Sequence, residues 1–346
     1  MKISAFILLF VFLACSFLSA QVTPASITAP SVIADVDGHR LTESDLDRKM
    51  SGSLLQARYQ YYLTERKALD KLVDDELIAL AAEHQHMTTD QFLEKEVYKD
   101  IKDPTEDQLQ VYYEGMESNE SYESLHDRLI EHIRDLRRAK ARAAYVKTLR
   151  TQANLQILLA PPVADVNVEG AELHGAKDAP VVLLEFADYE CPYCQKVNPL
   201  LVKLREEFGD KVTIAYKDFP LPMHRNAQKA SEAARCAGEQ GKFWEYHDLL
   251  YSTKALEVND LKKHAQTLKL DEAQFNKCLD SGAEADIVKK NLEEGKSLGL
   301  SGTPSFFANN HFFSGGVDYN TLREMVEQQI RARTTPQSLT QTASTK

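Results

Sequence analysis

The sequence predicts an α/β domain preceded by a mostly helical domain, in a chain of 346 residues. In residues 31–160 apolar side chains recur every three or four positions, which indicates amphipathic helices. Residues 181–186 form a nearly continuous apolar run that suits a buried strand, and helical spacing resumes over residues 195–208. Residues 211–217 predict a second strand, and a chain of this length exceeds the size of most single domains.

The first residues have the pattern of a secretory signal peptide. A lysine is followed by an apolar run and small residues, so residues 1–20 are expected to be removed by cleavage after Ala20, and residues 21–30 form a linker. An alternative is a lipoprotein signal with a lipidated Cys15, although Phe12 is unusual in such a signal. Either pattern predicts a periplasmic or otherwise exported protein, in a compartment where disulfides persist.

The N-terminal domain opens with a predicted hairpin over residues 32–41, in which Asp37 and Gly38 supply the tight turn. Residues 42–45 have the pattern of a capping box, and a long amphipathic helix is predicted over residues 54–82. Two further helices are predicted, over residues 105–113 and 125–146. The pattern supplies no nucleophile, metal cluster or phosphate loop, so binding is the predicted role of this domain.

The sequence Cys191-Pro192-Tyr193-Cys194 lies where the predicted strand of the α/β domain turns into a helix. Free N–H groups and the dipole at a helix N-terminus favour a thiolate, so Cys191 is expected to be acidic and exposed, with Cys194 one turn behind it. Pro192 falls where its missing N–H costs nothing. The pattern predicts a redox-active dithiol.

Two other stretches of the α/β domain supply candidate site residues. Glu185 lies on the predicted strand before Cys191, where a buried carboxyl with a raised pKa could relay the proton of Cys194. The alternative is a carboxylate satisfied by a nearby lysine. Thr303 and Pro304 lie just before another predicted strand, and Pro304 is a candidate for a cis peptide bond, with a trans proline on an edge strand as the alternative.

Cys236 and Cys278, the remaining cysteines, leave alternatives open. They could complete a zinc site with Cys191 and Cys194, although they are single cysteines far apart in sequence and not a second closely spaced pair. They could also be buried free thiols, or a structural disulfide in an oxidising compartment. No cofactor or metal is predicted, and the net charge of −11 argues against a nucleic-acid partner.

Three stretches, in this order, resemble the DsbA-like thiol–disulfide oxidoreductases of the thioredoxin superfamily. They are FADYECPYC (186–194), RCAGEQGKFWEYHDLLY (235–251) and GLSGTPSFFANNHFFSGG (299–316). The resemblance covers residues 173–333 and implies a thioredoxin-like fold, with the helical block of residues 224–298 inserted after the second strand.

The same resemblance implies roles for the candidate residues. Cys191 would form a mixed disulfide with a client protein, and Cys194 would resolve it. Thr303 and Pro304 would lie against the sulfurs and pair with the extended backbone of the client, and the other two cysteines would form a structural disulfide. The implied partners are cysteine-containing unfolded or folding proteins, and a redox partner that re-oxidises or reduces the dithiol.

The N-terminal half carries a second resemblance. IADVDGHRLTESDLD (33–47) and PTEDQLQVYYE (104–114) make residues 31–160 similar to the N-terminal chaperone domain of SurA- and PrsA-type periplasmic foldases. Those families usually continue into a parvulin domain, for which this chain has no room, so prolyl isomerase activity is not carried over. Residues 161–172 are a linker between the domains, and residues 334–346 are predicted to be a disordered polar tail.

These observations lead to one hypothesis with two alternatives. The leading hypothesis is an exported thiol–disulfide oxidoreductase that oxidises folding clients through its CPYC site and holds them with its helical domain. One alternative is a disulfide isomerase or reductase that forms a homodimer through the N-terminal domain. The other is a periplasmic holdase chaperone in which the redox domain is subsidiary.

Overall fold

The structure is a computed structural model that describes residues 32–315 and 317–334. The chain divides into two compact units, residues 1–49 and residues 50–346. The predicted signal peptide with Cys15, the 21–30 linker and the last twelve residues of the predicted tail lie outside the described residues. Among the described helices, none combines the length and the apolar character that a membrane crossing requires.

The first unit contains the predicted hairpin. Strands β1 (Val32–Val36) and β2 (His39–Thr42) pair in antiparallel fashion. Asp37 and Gly38 form the turn with φ angles of 52° and 88°. Positive φ at both central residues gives a turn whose twist matches that of the two strands, which is why aspartate and glycine occupy these positions.

A capping box opens the long helix α1 (Glu43–His84). The Thr42 N–H donates to the Asp45 carboxylate at 2.8 Å, and the Asp45 N–H donates back to the Thr42 hydroxyl at 3.3 Å. The predicted cap is therefore confirmed. The backbone of α1 is non-helical at Met50 (φ −120°, ψ 21°), where the second unit begins.

Shorter helices follow α1 and pack into two small apolar clusters. They are α2 (Thr89–Phe92), α3 (Glu106–Glu114) and α4 (Tyr122–Gln152). A capping box between Thr105 and Gln108 opens α3, a helix that the sequence predicts over residues 105–113. One cluster contains Ile78, Ala82, Phe92 and Val146. The other contains Leu109, Leu125, Leu129 and Ile133.

Arginines along α4 pair with acidic residues of the same helical region. Arg142 lies 2.5 Å from Asp75, and Arg150 lies 2.6 Å from Asp74, so both link α4 to α1. Further pairs are Arg134–Asp103 and Arg138–Glu94. Each exposed pair contributes little stability, but together they neutralise much of the positive charge of this helix within the chain.

The α/β region contains a five-stranded sheet in the order β3-β5-β4-β6-β7. Its strands are β3 (Glu172–His174), β4 (Val181–Ala187), β5 (Val212–Asp218), β6 (Ser305–Ala308) and β7 (His311–Ser314). Strands β4 and β5 are parallel, and the other pairs are antiparallel. Nearly every residue of β4 and β5 is buried, as expected of strands covered on both faces.

Seven helices accompany this sheet. They are α5 (Pro192–Phe208), α6 (Ala227–Gly238), α7 (Phe243–Thr253), α8 (Val258–Thr267), α9 (Glu272–Ser281), α10 (Ala285–Ser297) and α11 (Tyr319–Thr334). Five of them, α6 to α10, lie between β5 and β6 in the chain, so the predicted thioredoxin-like fold with a helical insertion is confirmed. A disulfide between Cys236 and Cys278 joins α6 to α9, as the resemblance implied.

Part of α1 packs into the core of the α/β region. Leu55, Tyr59 and Tyr62 are buried in the same apolar cluster as residues of β4, β6 and β7. The Arg66 guanidinium makes two hydrogen bonds to the carboxylate of Glu324 on α11, at 2.6 and 2.8 Å. A helix that the sequence assigns to the N-terminal domain therefore also completes the core of the α/β region.

Candidate active site

The two cysteines lie at the junction of β4 and α5. Cys191 has an extended backbone (φ −71°, ψ 122°) immediately before α5, and Pro192 is the first helical residue. The Cys191 carbonyl accepts a hydrogen bond from the Gln195 N–H at 3.1 Å, the first bond of the helix. This position puts the Cys191 sulfur near the N–H groups of the first turn, which have no partner within the helix.

The Cys191 thiol is buried and yet acidic. The residue is only 3% exposed, so the predicted exposure is wrong; the Thr303 carbonyl oxygen lies over the sulfur and accepts a hydrogen bond from it at 3.4 Å. The pKa of Cys191 is lowered to about 5, chiefly by a hydrogen bond from the Cys194 thiol, while burial opposes the change. The Thr303 side chain and the N–H groups of Cys194 and Tyr193 lower the pKa further.

Cys194 has the opposite electrostatic environment. It is fully buried, and burial raises its pKa well above the usual value. The hydrogen bond to Cys191 and the negative charge of Glu185 raise the pKa further. At neutral pH the pair therefore holds one thiolate, on Cys191, and one thiol, on Cys194.

The loop before β6 closes over the cysteines. Its Thr303–Pro304 peptide bond is cis, the conformation expected from the sequence. While Cys191 is a thiol, the buried Thr303 hydroxyl has no hydrogen-bond partner in the described part of the chain. It becomes a donor to the sulfur when the thiolate forms, which is one cause of the lowered Cys191 pKa.

Glu185 lies in the middle of the sheet beneath the cysteines. It stands opposite Tyr216 of β5 and Phe306 of β6 and is 2% exposed. Burial, followed by repulsion from the Cys191 thiolate, raises the pKa of Glu185 to about 8. The nearby buried Lys217 does not satisfy this carboxyl; its ammonium binds Glu294 at 2.6 Å.

Glu185 is one of the residues that line a small cavity. Its volume of about 10 Å³ is close to the smallest that holds one water molecule. Asn198, His247 and the exposed Asp248 line it together with Glu185. Apolar side chains complete the lining, among them Leu201, Ile214 and Trp244.

The structure adds two site residues that the sequence did not identify, Asp188 and His224. Asp188 is fully buried after β4, and its carboxylate accepts hydrogen bonds from the Leu221 N–H at 2.7 Å and from His224 Nδ1 at 2.8 Å. Burial lowers the pKa of His224, but the bond to Asp188 and the charges of Asp188 and Cys191 outweigh it, so the net pKa is raised. Asp188 directly follows β4, and His224 comes a few residues after β5. Because β4 and β5 are parallel, their carboxyl ends lie at the same edge of the sheet, and this brings the two residues together.

A buried polar chain behind the cysteines also escaped prediction. The Tyr189 hydroxyl lies 3.1 Å from His247 Nδ1, and His247 Nε2 lies 3.2 Å from the Asn198 side-chain oxygen. Burial, with a smaller contribution from His174, lowers the pKa of His247 to about 3, so this imidazole is neutral. The Asn198 oxygen can only accept a hydrogen bond, so His247 Nε2 carries the proton and donates to that oxygen, while Nδ1 accepts from the Tyr189 hydroxyl.

The zinc alternative is contradicted by the disulfide, because a sulfur bonded to sulfur is not a thiolate ligand. In residues 32–315 and 317–334, the one group of three side chains close enough to hold a metal is Glu239, Cys278 and Glu284, and its sulfur belongs to that disulfide.

Comparison with known proteins places the similarity in the α/β half. Residues 168–328 match a family model described as Thioredoxin. The Na⁺/H⁺ antiporter NhaA 3 of Salinispora tropica is 34% identical over 163 residues, which are 46% of this chain and 25% of that protein. The chain thus spans about a quarter of the length of the curated relatives that it matches.

Solved structures of smaller proteins align with the same share of the chain. BdbD from Bacillus subtilis is 20% identical with a TM-score of 0.46, covering 50% of this chain and 99% of that one. The catalytic domain of Proteus mirabilis ScsC is 28% identical with a TM-score of 0.42, covering 47% and 90%. The sheet topology described above and the family match together show that the C-terminal half of this protein is a thioredoxin-like domain.

Alkylation of the reduced protein should distinguish the two active-site cysteines. Only a thiolate reacts with iodoacetamide, so labelling of Cys191 should rise with pH through a midpoint near 5, while Cys194 stays unlabelled up to pH 8. Short pulses followed by peptide mass spectrometry measure this. Thr303→Val should move the Cys191 midpoint upward, because a donor to the thiolate is lost. Equal labelling of both cysteines at pH 5 would contradict the assignment.

Replacing Glu185 by glutamine should stabilise the reduced protein, and more so as pH rises. The folded-state pKa of about 8 lies above the ordinary 4.5, so the unfolded chain releases this proton first and stability falls between these pH values. The full difference is on the order of 5 kcal/mol, since the two pKa values differ by about 3.5 and each pH unit contributes about 1.4 kcal/mol. Urea denaturation at pH 4, 6 and 8.5 measures it, with the exposed Glu206→Gln of the same region as control. If the gain in the free energy of unfolding did not change with pH, Glu185 would ionise at its ordinary pKa.

Proposed function

We propose that this protein is an exported thiol–disulfide oxidoreductase that oxidises cysteine pairs in folding client proteins. The observation that carries the proposal is the asymmetry of the CPYC pair. Cys191 is acidified where α5 begins and lies beneath the Thr303 carbonyl, whereas Cys194 is fully buried with a raised pKa. In such a pair the Cys191 sulfur is suited to act as nucleophile or leaving group, and the Cys194 sulfur is suited to resolve a mixed disulfide.

The reaction begins with the Cys191–Cys194 disulfide and a reduced client. A client thiolate attacks the Cys191 sulfur; the bond between the two active-site sulfurs breaks, and Cys194 leaves as a thiolate. Protonated Glu185, with a pKa near 8, supplies the proton that Cys194 takes up. The second client thiolate then attacks the client sulfur of the mixed disulfide, and Cys191 leaves as a thiolate. The client loses two electrons and the protein gains them.

The acidity of Cys191 favours this direction of electron flow. A thiolate that is stable at neutral pH stabilises the reduced protein relative to its disulfide, which makes the disulfide a stronger oxidant. A low pKa also makes Cys191 the better leaving group in the second step. A separate redox partner would re-oxidise the dithiol. The pattern of residues 1–20 and the Cys236–Cys278 disulfide support an oxidising compartment outside the cytoplasm.

The helical region is the proposed client-binding element. Several of its large apolar side chains are exposed although the region has apolar clusters of its own. They are Leu72 (64%), Leu80 (43%), Val111 (70%) and Leu136 (50%). Exposed apolar side chains of this kind suit unfolded segments, and the similarity of residues 31–160 to SurA-type chaperone domains supports the same role. Holding a client near Cys191 would raise the local concentration of its thiols.

The redox potential tests the oxidase against the reductase. Equilibration with glutathione buffers should give a potential well above that of thioredoxin, about −270 mV. A value at or below that figure would favour a reductase and overturn the proposed direction. In parallel, Cys194→Ser should accumulate mixed disulfides with disulfide-bonded proteins that the Cys191 thiolate attacks, because the resolving thiol is gone. Cys191→Ser/Cys194→Ser is the control that should trap none.

Surface substitutions test client binding without removing core residues. Leu72→Ser, Val111→Ser and Leu136→Ser together should slow oxidation of a reduced, unfolded protein severalfold and leave oxidation of a short dithiol peptide unchanged. The matched control carries three serines at exposed apolar positions of the α/β domain, Leu173, Val202 and Val258. Equal loss with both triple variants would exclude a specific role for the helical region. Unchanged rates on both substrates would instead favour the dimerisation role.

A further inference from the structure

Tyr59 of α1 binds the backbone of the sheet's terminal strand, β7. Its hydroxyl donates a hydrogen bond to the Ser314 carbonyl at 2.8 Å and accepts one from the Ser314 N–H at 2.9 Å. The ring is 6% exposed and packs edge-on against Phe312 at 4.9 Å. One hydroxyl thus satisfies both backbone groups of a residue at the end of an edge strand.

Ser314 is in turn bonded to the loop that covers the cysteines. It stands opposite Ser305 in the β6–β7 pair, and its hydroxyl lies 3.5 Å from the Pro304 carbonyl and 3.4 Å from the Ser305 hydroxyl. The Ser305 hydroxyl donates to the Gly302 carbonyl at 2.9 Å. These contacts involve the carbonyl groups of Gly302 and Pro304, the residues on either side of Thr303.

Thr303 completes the chain of contacts to the reactive sulfur. Its carbonyl accepts the hydrogen bond from the Cys191 thiol at 3.4 Å, and its hydroxyl stabilises the Cys191 thiolate. Tyr59 is therefore connected to Cys191 through Ser314, Pro304 and Thr303, by hydrogen bonds and by the covalent chain of one short loop. The other charged or titratable groups that act on Cys191 or on its pair are Cys194, Glu185 and His224.

A second contact of α1 fixes the beginning of the same loop. Gly52 packs directly on the backbone at Gly299: a Cβ added to Gly52 would lie 2.7 Å from the Gly299 nitrogen and 2.8 Å from its Cα. Gly299 itself has a φ of 73°, which a glycine adopts without cost. Helix α1 thus contacts the segment before the loop through Gly52 and the strand after it through Tyr59.

We propose that Tyr59 and Gly52 are positioning residues of the exchange site, through which α1 sets the distance of Thr303 from Cys191. The proposal rests on the thiol–disulfide exchange proposed above and assigns part of its control to a helix outside the sheet. A donor and an acceptor that are fixed at the sulfur stabilise the thiolate without reorganisation when it forms. If the loop were held less firmly, the Thr303 carbonyl and hydroxyl would still be present but would be displaced from the Cys191 sulfur.

Tyr59→Phe tests the proposal with little change of shape. It removes only the hydroxyl, and the midpoint of Cys191 alkylation should rise by about half a pH unit, which is a threefold change in the thiolate equilibrium. Below pH 5, where the thiolate fraction limits the rate, attack of reduced Cys191 on a small disulfide should slow by a similar factor. The matched control is Tyr62→Phe: this ring is also buried and stacks on Tyr59 at 5.9 Å, but its hydroxyl interacts with Arg66. It should leave the midpoint unchanged.

Gly52→Ala tests the second contact independently. The added methyl group must push α1 away from Gly299, so the alkylation midpoint should rise here too. Gly115→Ala is its control, because a Cβ at that position meets no atom closer than 3.6 Å. Thermal unfolding of all four variants shows whether each is folded at the temperature of the assay.

The outcomes separate this proposal from the proposed function. A lower melting temperature for Tyr59→Phe and Gly52→Ala with an unchanged midpoint would show a purely structural role and overturn the proposal. An equal rise in Tyr62→Phe would overturn it as well, because the effect would then belong to the aromatic cluster. Alkylation needs no client, so a shifted midpoint in a protein that exchanges with no dithiol would leave the positioning role intact and refute the proposed function instead.

Discussion

A thiolate in a nearly closed site is the constraint around which the α/β half of this protein is organised. Burying a charge is costly unless hydrogen-bond donors and opposite charges replace water. Cys191 receives those donors from two separate parts of the chain: the first turn of α5, which includes the Cys194 thiol, and the loop at Thr303. His224, held by Asp188, adds a titratable group that is attracted to the same charge. The junction of β4 and α5 places Cys191, and the loop before β6 places Thr303.

The pKa values of Cys194 and Glu185 are raised, whereas that of Cys191 is lowered, and this difference determines the chemistry of the site. Cys194 and Glu185 are both buried, and burial raises the pKa of each because neither has water to stabilise a negative charge. One sulfur is therefore ionised while its partner and the carboxyl beneath it stay protonated. A proton is then available inside the protein at the moment when Cys194 becomes a leaving group.

Local features of the fold could be predicted from the sequence, and contacts between distant segments could not. The strand–helix junction at Cys191, the hairpin turn at Asp37 and the bounds of the two central strands depend on residues that are neighbours in sequence. Strand β3 has only three residues, too few to show a period. The pairing of Asp188 with His224 and the burial of Cys191 by the 302–304 loop arise from tertiary packing alone. The resemblance supplied the disulfide, which spacing had left open.

The largest consequence of tertiary packing concerns α1. The sequence divides the chain near residue 160, whereas Leu55, Tyr59 and Tyr62 are buried with the sheet, and Ile78 and Ala82 of the same helix are buried among the other helices. A truncation at residue 160 would expose the apolar surface that the first three residues cover. Burial of one such side chain is worth about 1.5–3 kcal/mol, and a domain has about 5–15 kcal/mol of net stability. Removal of residues 1–160 is therefore expected to destabilise the C-terminal half, because part of α1 contributes side chains to its core.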